Sequence, residues 1–408
     1  MQSLPHDDDD RRHSIGNNPK PCRDDETEPL PWRSLSRSCP RNPDDHCHHS
    51  LIATVRCRYA NSYVSSLAVA GKFLLAGSSD RDILSWERTA LANSDNTRSG
   101  GDGGLWVVAE CAGTVKSLVV VSDKLFSAHQ DHKIRAWRIR AQDLNQNHPN
   151  HLKYSRLATM PTLGDRVLGL LVPEKQVQFR RHRRCAWASH ADVVSGLALS
   201  RDASLLYSVS WDRSIKIWHT SDFRCLESVR DAHDDAINAV ASSGDGRVYT
   251  GSADKKIKVW QKLEGDKNHS LVATLEGHGS GVNALALNSD GSILFSGGRD
   301  RSIMAWEKED GGDRMVVVCV LLGHSKSILC LKVVSDLVLS GSADKTIRIW
   351  RGSEKSYACV SVLNGHRGPV KCLTAAADCG SSSSACFVVY SGSLDCDLKV
   401  WKVAFPIL

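Results

Sequence analysis

The 408-residue sequence predicts an all-β fold, a seven-bladed β-propeller of four-stranded antiparallel blades with its ring closed by an N-terminal strand. Three observations carry this. A decapeptide is written twice with three exchanges, GSADKKIKVW at 251–260 and GSADKTIRIW at 341–350. Five looser copies (SSDRDILSW, HQDHKIRAW, SWDRSIKIW, GRDRSIMAW and SLDCDLKVW) share with them an Asp six residues before a Trp. The pairs are Asp80–Trp86, Asp131–Trp137, Asp212–Trp218, Asp254–Trp260, Asp300–Trp306, Asp344–Trp350 and Asp395–Trp401, and all but one Trp-to-Trp interval lies between 42 and 51 residues. A unit of that length, made of short strands and turns, buries its faces only against its neighbours, which is the logic of a blade.

The elements follow in order. Residues 1–48 are polar and aperiodic, and are expected to form a disordered tail. They contain no apolar stretch of the kind a secretory signal needs. The stretch CPRNPDDHCHH gathers Cys39, His46, Cys47, His48 and His49, but crowded at one end without a second pair, so it reads as solvated tail and no metal is expected. The propeller is expected over 49–408. LIATVRCR (51–58) has no Asp–Trp hairpin of its own and is assigned as the outer strand of the last blade, where it covers an open edge. Each unit then runs as an alternating strand, a turn, a second strand, the Asp turn and a strand closing on Trp. INAVAS (237–242), VNALAL (282–287), ILCLKV (328–333) and VKCLTA (370–375) show the alternation of a half-buried first strand.

Three insertions interrupt the period. Residues 87–104 read as a flexible Gly/Ser/Asn loop, and 378–386 lengthen the first turn of the last blade. An insertion at about 138–180 accounts for the 81 residues between Trp137 and Trp218. It ends in FRRHRR, read as a solvated lead-in to the strand CAWAS (185–189), with a nuclear-import signal at 180–184 as the alternative.

Composition narrows the function. No run of 18 apolar residues offers a membrane span. Fourteen scattered cysteines without an export signal fit reduced thiols, and hence a cytoplasmic and/or nuclear protein. The net charge is +6; residues 1–50 carry 7 basic and 10 acidic side chains, which leaves +9 on the remainder. That bias is too dilute to argue for nucleic acid.

His190, His233, His278, His324 and His366 each stand four residues before a β-branched apolar residue, and a hydroxyl lies four residues before each of the five Asp that follow. On these residues the chain resembles the WD-repeat family. The resemblance implies buried hydrogen-bonded sets: His190, Ser208, Asp212, Trp218; His233, Thr250, Asp254, Trp260; His278, Ser296, Asp300, Trp306; His324, Ser340, Asp344, Trp350; and His366, Ser391, Asp395, Trp401. Buried polar groups of these types need partners, and a chain satisfies them jointly. Five copies of one set point to structure rather than catalysis. The first two units depart, with Cys111 at the second His position and Ala60 and Ala76 at the first unit's His and hydroxyl, so their blades are expected to be the softest. The Trp-Asp ending is missing, which weighs against the ubiquitin-ligase receptor role found in this family. YVSSLAVAGKFLLAGSSDRDILSW and FRRHRRCAWASHADVVSGLA are similar to the plant Jingubang-type subgroup, which implies an intracellular regulatory binding protein.

Directly after the turn Asp stand Arg81, His132, Arg213, Lys255, Arg301, Lys345 and Cys396. Five of the seven are cationic and are expected on one face, where they suit an acidic or phosphorylated segment of another protein. Trp211, in one of these turns, is a second candidate contact. No G-x-S-x-G, H-E-x-x-H, dinucleotide fingerprint or P-loop is present, so no enzyme and no cofactor is expected. The reading is a monomeric, non-enzymatic protein-interaction scaffold with a regulatory role in a plant cell. A nucleic-acid-associated or ubiquitin-ligase receptor propeller is the alternative.

Overall fold

The computed structural model describes residues 47–56, 61–92, 106–141, 152–171, 176–179, 183–263, 265–309, 314–353, 356–378 and 384–406. Among these, seven four-stranded antiparallel sheets form the blades. Their strands, from the ring's axis outward, are as follows. Blade 1 has Val64–Ala70, Phe73–Ser78, Asp82–Glu87 and Trp106–Glu110; blade 2 has Val115–Val121, Lys124–His129, Ile134–Ala141 and Leu152–Met160. Blade 3 has Val194–Leu199, Leu205–Ser210, Ile215–His219 and Cys225–Val229; blade 4 has Ile237–Ser242, Arg247–Ser252, Ile257–Gln261 and Ser270–Leu275. Blade 5 has Val282–Leu287, Ile293–Gly298, Ile303–Lys308 and Met315–Leu321; blade 6 has Ile328–Val334, Leu337–Ser342, Ile347–Ser353 and Ser356–Leu363. Blade 7 has Val370–Ala377, Ser384–Ser393 and Asp397–Pro406, and takes its outer strand, His48–Arg56, from the other end of the chain.

Each inner strand packs against the inner strands on either side, and Val370–Ala377 meets Val64–Ala70, so the ring is closed. The core is divided accordingly into seven clusters, one at every junction between neighbouring blades. The closing Trp of each blade enters the cluster shared with the preceding blade: Trp218 joins blade 2 residues, and Trp86 joins blade 7 residues across the ring closure. In the opposite direction, the second strand must let the next blade approach. A Cβ on Gly77, Gly251, Gly297, Gly341 or Gly392 would stand 2.5–2.7 Å from a side-chain atom of the next blade or of the facing inner strand. The Gly that opens the repeated decapeptide is therefore a packing requirement between blades, not a turn residue. Blade 3 makes the inverse choice, with Val209 on the second strand facing Gly196 on the first.

A further device holds the ring. Every inner strand shifts register at its second residue, a β-bulge that leaves the carbonyl of its first residue outside the regular ladder. The preceding blade supplies a donor for that carbonyl at six of the seven junctions. Ser65 Oγ donates to Val115 O, Ser195 Oγ to Ile237 O at 2.5 Å, Asn238 Nδ2 to Val282 O at 2.9 Å and Asn283 Nδ2 to Ile328 O at 2.8 Å. Where the bulged residue is Leu329 or Lys371, the next residue takes over through a weak thiol donor: Cys330 Sγ to Val370 O at 3.7 Å and Cys372 Sγ to Val64 O at 3.5 Å. Between blades 2 and 3 the bond is reversed in sense, with Leu197 N donating to Ser117 Oγ at 3.2 Å. Burial pushes the Cys330 thiol up to about 12, so it stays a protonated donor.

The structure corrects four boundaries. The closing strand begins at His48, so His48 and His49 lie in it and Cys47 packs against the core between blades 6 and 7, rather than in a solvated tail; Cys39 and His46 lie outside the described residues. The segment read as a loop from residue 87 begins with a short helix, Arg88–Ala92, whose Leu91 is buried against blade 7. The expected insertion at 138–180 contains a blade strand, Leu152–Met160, because the third strand continues to Ala141 and needs a partner. The inserted material is the helix Leu163–Leu171 and a hairpin of Gln176–Phe179 with Arg183–Ala186, which takes up the start of the segment read as the strand CAWAS. The helix opens on a capping box: Thr162 Oγ1 accepts the Asp165 N–H at 3.2 Å and Asp165 Oδ2 accepts the Thr162 N–H at 3.0 Å. Residues 180–182 lie outside the described residues. Among those described, no helix is long and apolar enough to cross a membrane.

Candidate functional site

The Asp turns and the loops that precede the inner strands meet at one end of every blade. Seven backbone bonds join them, from Ser79, Gln130, Trp211, Ala253, Arg299, Ala343 and Leu394 N–H groups to carbonyls just before the inner strands. This end of the ring is the turn face.

Beneath it the polar chains are assembled. In blade 4, Trp260 Nε1 donates to Thr250 Oγ1 at 2.9 Å, Thr250 Oγ1 meets His233 Nε2 at 2.8 Å, and His233 Nδ1 meets Asp254 Oδ2 at 2.8 Å. The corresponding contacts run Trp306–Ser296–His278–Asp300 at 2.8, 2.7 and 2.8 Å, Trp350–Ser340–His324–Asp344 at 2.8 Å throughout, and Trp401–Ser391–His366–Asp395 at 2.9, 2.8 and 2.9 Å. Blade 3 varies the last link: His190 Nδ1 lies 2.9 Å from Ser214 Oγ and 3.4 Å from Asp212 Oδ2, while Ser208 bridges His190 and Trp218 at 2.8 Å each. Each acid also accepts backbone N–H groups on both sides of its turn, as Asp300 does from Gly279 at 2.8 Å and Ser302 at 3.1 Å. An indole that only donates and a carboxylate that only accepts leave one direction for the chain, with a neutral imidazole donating from Nδ1. The arrangement satisfies buried groups and presents no nucleophile to solvent.

The charge states follow. Burial holds the imidazoles of His190, His233, His324 and His366 below their ordinary 6.5. Burial pushes Asp300 and Asp344 up, but hydrogen bonds from the partner His and from Ser302 or Thr346 outweigh it and hold both carboxylates at about 2. Both effects have one sign. Below pH 6.5 the unfolded chain takes up imidazole protons that the folded one refuses, and below about 4 it takes up carboxylate protons as well. The urea midpoint is therefore expected to be flat between pH 7 and 8, to fall from pH 6.5 to 4, and to fall further towards pH 2. A midpoint that rises on acidification contradicts neutral His over ionised Asp.

The first two blades differ from the other five. In blade 2, Trp137 Nε1 donates to Ser127 Oγ at 2.8 Å, but the imidazole completing the chain is His129, whose Nε2 lies 2.8 Å from Ser127 Oγ and whose Nδ1 donates to Gly113 O at 3.1 Å. Asp131 turns instead to Arg135, at 3.1 and 2.5 Å. The signal was present in HQDHK, which carries His two residues before the acid where the other copies carry Ser or Gly. Cys111 at the vacated position is half-buried, and burial pushes its thiol up to about 11. In blade 1, Ala76 leaves the buried Trp86 Nε1 without an acceptor among the described residues, and Asp80 is exposed. Ala76→Ser is expected to stabilise the protein by about 1 kcal/mol by giving that indole its acceptor, read as an upward shift of the urea midpoint. No shift would mean that the orphaned indole costs nothing.

The residue after each turn acid is left-handed in all seven blades, with φ between 66° and 78° at Arg81, His132, Arg213, Lys255, Arg301, Lys345 and Cys396. All but the half-buried Cys396 are exposed. Local backbone chemistry favours Gly or Asn at such positions, so it does not account for Lys or Arg at five of seven. Arg213 Nη2 is paired with Asp231 at 2.6 Å; among the described residues Arg81, Lys255, Arg301 and Lys345 have no carboxylate partner. Trp211 is 43% exposed on this face, and Lys116 Nζ, from the bulge of blade 2, stands 5.9 Å from its ring centre. Lys371, the bulged residue of blade 7, is exposed and close enough to lower the Lys116 ammonium, an effect second to burial. Among the described residues, no group of three or more His, Cys, Asp or Glu is placed to hold a metal.

The comparisons agree with this architecture. The WD40 family, described as WD domain, G-beta repeat, matches residues 183–219, 223–261, 269–307, 315–351 and 357–402, which takes in blades 3 to 7 and not the two atypical ones. The chain is similar to Protein Notchless of Drosophila melanogaster, 28% identical over 165 residues, 40% of this chain and 32% of that one. It is also similar to Autophagy-related protein 16 of Arabidopsis thaliana, 27% identical over 189 residues, 45% of this chain and 36% of that one. The aligned part thus spans about a third of the length of these relatives. With five matched repeats and two divergent ones closed into a single ring, the protein belongs to the WD40 repeat family.

Proposed function

We propose that this protein is a non-enzymatic interaction scaffold with a regulatory role in the cytoplasm or nucleus of a plant cell, and that its turn face takes an acidic or phosphorylated segment of a partner protein. The ring of left-handed cations carries the reading. Four of these side chains lack a carboxylate among the described residues, on a face that also exposes Trp211 and Lys371 and carries the half-buried Lys116. Such a ring attracts anionic segments and orients them, and an exposed Trp beside it supplies an apolar anchor. The plant setting rests on the resemblance to the Jingubang-type subgroup and on the Arabidopsis relative.

The test is selection from a library of acidic and phosphorylated peptides, followed by anisotropy titration of the selected sequences. Wild type is compared with the combined variant Arg213→Glu, Lys255→Glu, Arg301→Glu, Lys345→Glu, its fold checked by circular dichroism. The expected loss is at least about tenfold in Kd, about 1.4 kcal/mol, with affinity falling as salt is added. Peptides that bind both proteins equally would remove the turn face as the site, and a selection without acidic enrichment would remove the ligand class.

A further inference from the structure

We propose a second site on the opposite face: the cleft between blades 3 and 4 binds a small organic phosphate monoester. The cleft has a volume of about 610 Å³ and is formed by the first turns of both blades and the last turn of blade 4. That volume suits a small organic ligand and is several times what a bare phosphate fills.

Its chemistry comes from four side chains. Arg201 and Lys262 are cationic, and Tyr207 and His269 supply a phenol and an imidazole. His269 is clamped from behind: its backbone N–H donates to Glu227 Oε1 at 2.9 Å and Oε2 at 3.1 Å, and its Nδ1 lies 2.8 Å from Oε2. Both side chains of that pair are buried, 6% and 10% exposed, so the Glu227 charge is engaged and Nε2 is left for another partner. The Tyr207 ring stands edge-on to the imidazole, 5.8 Å between centres. Tyr207 is 3% exposed and its hydroxyl has no hydrogen-bond partner among the described residues. The tyrosine at the same strand position in blade 7, Tyr390, receives Arg88 Nε at 3.2 Å. The Tyr207 phenol lines the cleft, so its hydroxyl is free to donate to an acceptor bound there. Arg201 lies over Gly244, where a Cβ would come within 3.0 Å of Nη1, so the absent side chain makes room for the guanidinium.

The remaining acid of the lining, Asp202, is turned to its own loop, with Ser200 Oγ at 2.5 Å and Ser204 N at 3.2 Å. Two cations, a phenol and an imidazole therefore share one cleft, and what they have in common is an anion with several acceptor oxygens. The apolar wall from Leu205 and the Tyr207 ring asks for an organic body attached to that anion.

Isothermal titration of the full chain with phenyl phosphate tests this, with inorganic phosphate and phenol as the two halves of the probe. Phenyl phosphate is expected to bind at least tenfold more tightly than either half. Tyr207→Phe, which keeps the ring and removes only the hydroxyl, is expected to weaken it at least threefold, and Arg201→Gln at least tenfold, each with an unchanged melting curve. The turn-face variant with four reversed charges is expected to bind as wild type does. Absence of saturable binding, equal binding of inorganic phosphate, affinity unchanged in both cleft variants, or loss in the turn-face variant would each overturn the assignment.

Discussion

Deletion of residues 1–56 is expected to lower the melting temperature by on the order of 10 °C and to make the protein aggregate. The missing strand pairs with Asp397–Pro406 from His48↔Ala404 to Arg56↔Asp397, and its register shifts between Leu51 and Ala53, opposite Val400 and Trp401. The fourth strands of blades 3 to 6 shift in the same way opposite their own Trp, so this segment occupies a true fourth-strand position. Ile52, Ala53 and Val55 pack against the core between blades 7 and 1, and Thr54 Oγ1 accepts the buried Lys399 Nζ at 3.1 Å. Half-burial of Ile and Val contributes about 1 kcal/mol each, and the lost ladder bonds about 1 kcal/mol each. A sum of roughly 5 kcal/mol is a large part of the stability of a single domain. Excess synthetic peptide 47–56 is expected to restore part of the melting temperature by mass action. An unchanged melt of the truncated chain would show that the ring does not depend on this closure.

Gly297→Ala is expected to cost about 2–3 kcal/mol, more than an added methyl group ordinarily does. The new Cβ would lie 2.5 Å from Ile328 Cγ2 and 3.0 Å from Ile328 Cβ, on an inner strand of the next blade that cannot retreat without opening the junction. Gly279→Ala in the same blade is the control: its Cβ would meet only Asp300 Cβ, at 3.9 Å, and a change within about 0.5 kcal/mol is expected. Urea midpoints read both. Equal midpoints for the two variants would mean that the junction yields, and that the Gly of the decapeptide has another cause.

Much of the fold was legible in the sequence because its signals are short-range. The acid six residues before Trp, the period-2 alternation of INAVAS and its counterparts, and the missing hairpin of LIATVRCR each report on one blade or one strand, and together they imply the number of blades and the closure. The errors fell where a local signal was weak. Leu152–Met160 lies in a segment without an Asp–Trp hairpin, and its place as a strand depends on the partner edge offered by Ile134–Ala141. His129 completes the chain of blade 2 from the second strand instead of the loop, which becomes visible only when Ser127 is seen on the same side of the hairpin.

Periodic pattern and turn chemistry thus specified what lies within a blade, since strand alternation, an acid turn and a closing Trp operate over a few residues. What lies between blades came with the folded ring: the side chains reaching the carbonyl left free by each bulge, the glycines that admit the neighbouring strand, the left-handed cations gathered on one face, and the cleft where His269 and Tyr207 meet. These depend on residues tens of positions apart in the chain. Their contacts are set by the angle and spacing of whole sheets, which no window of sequence contains.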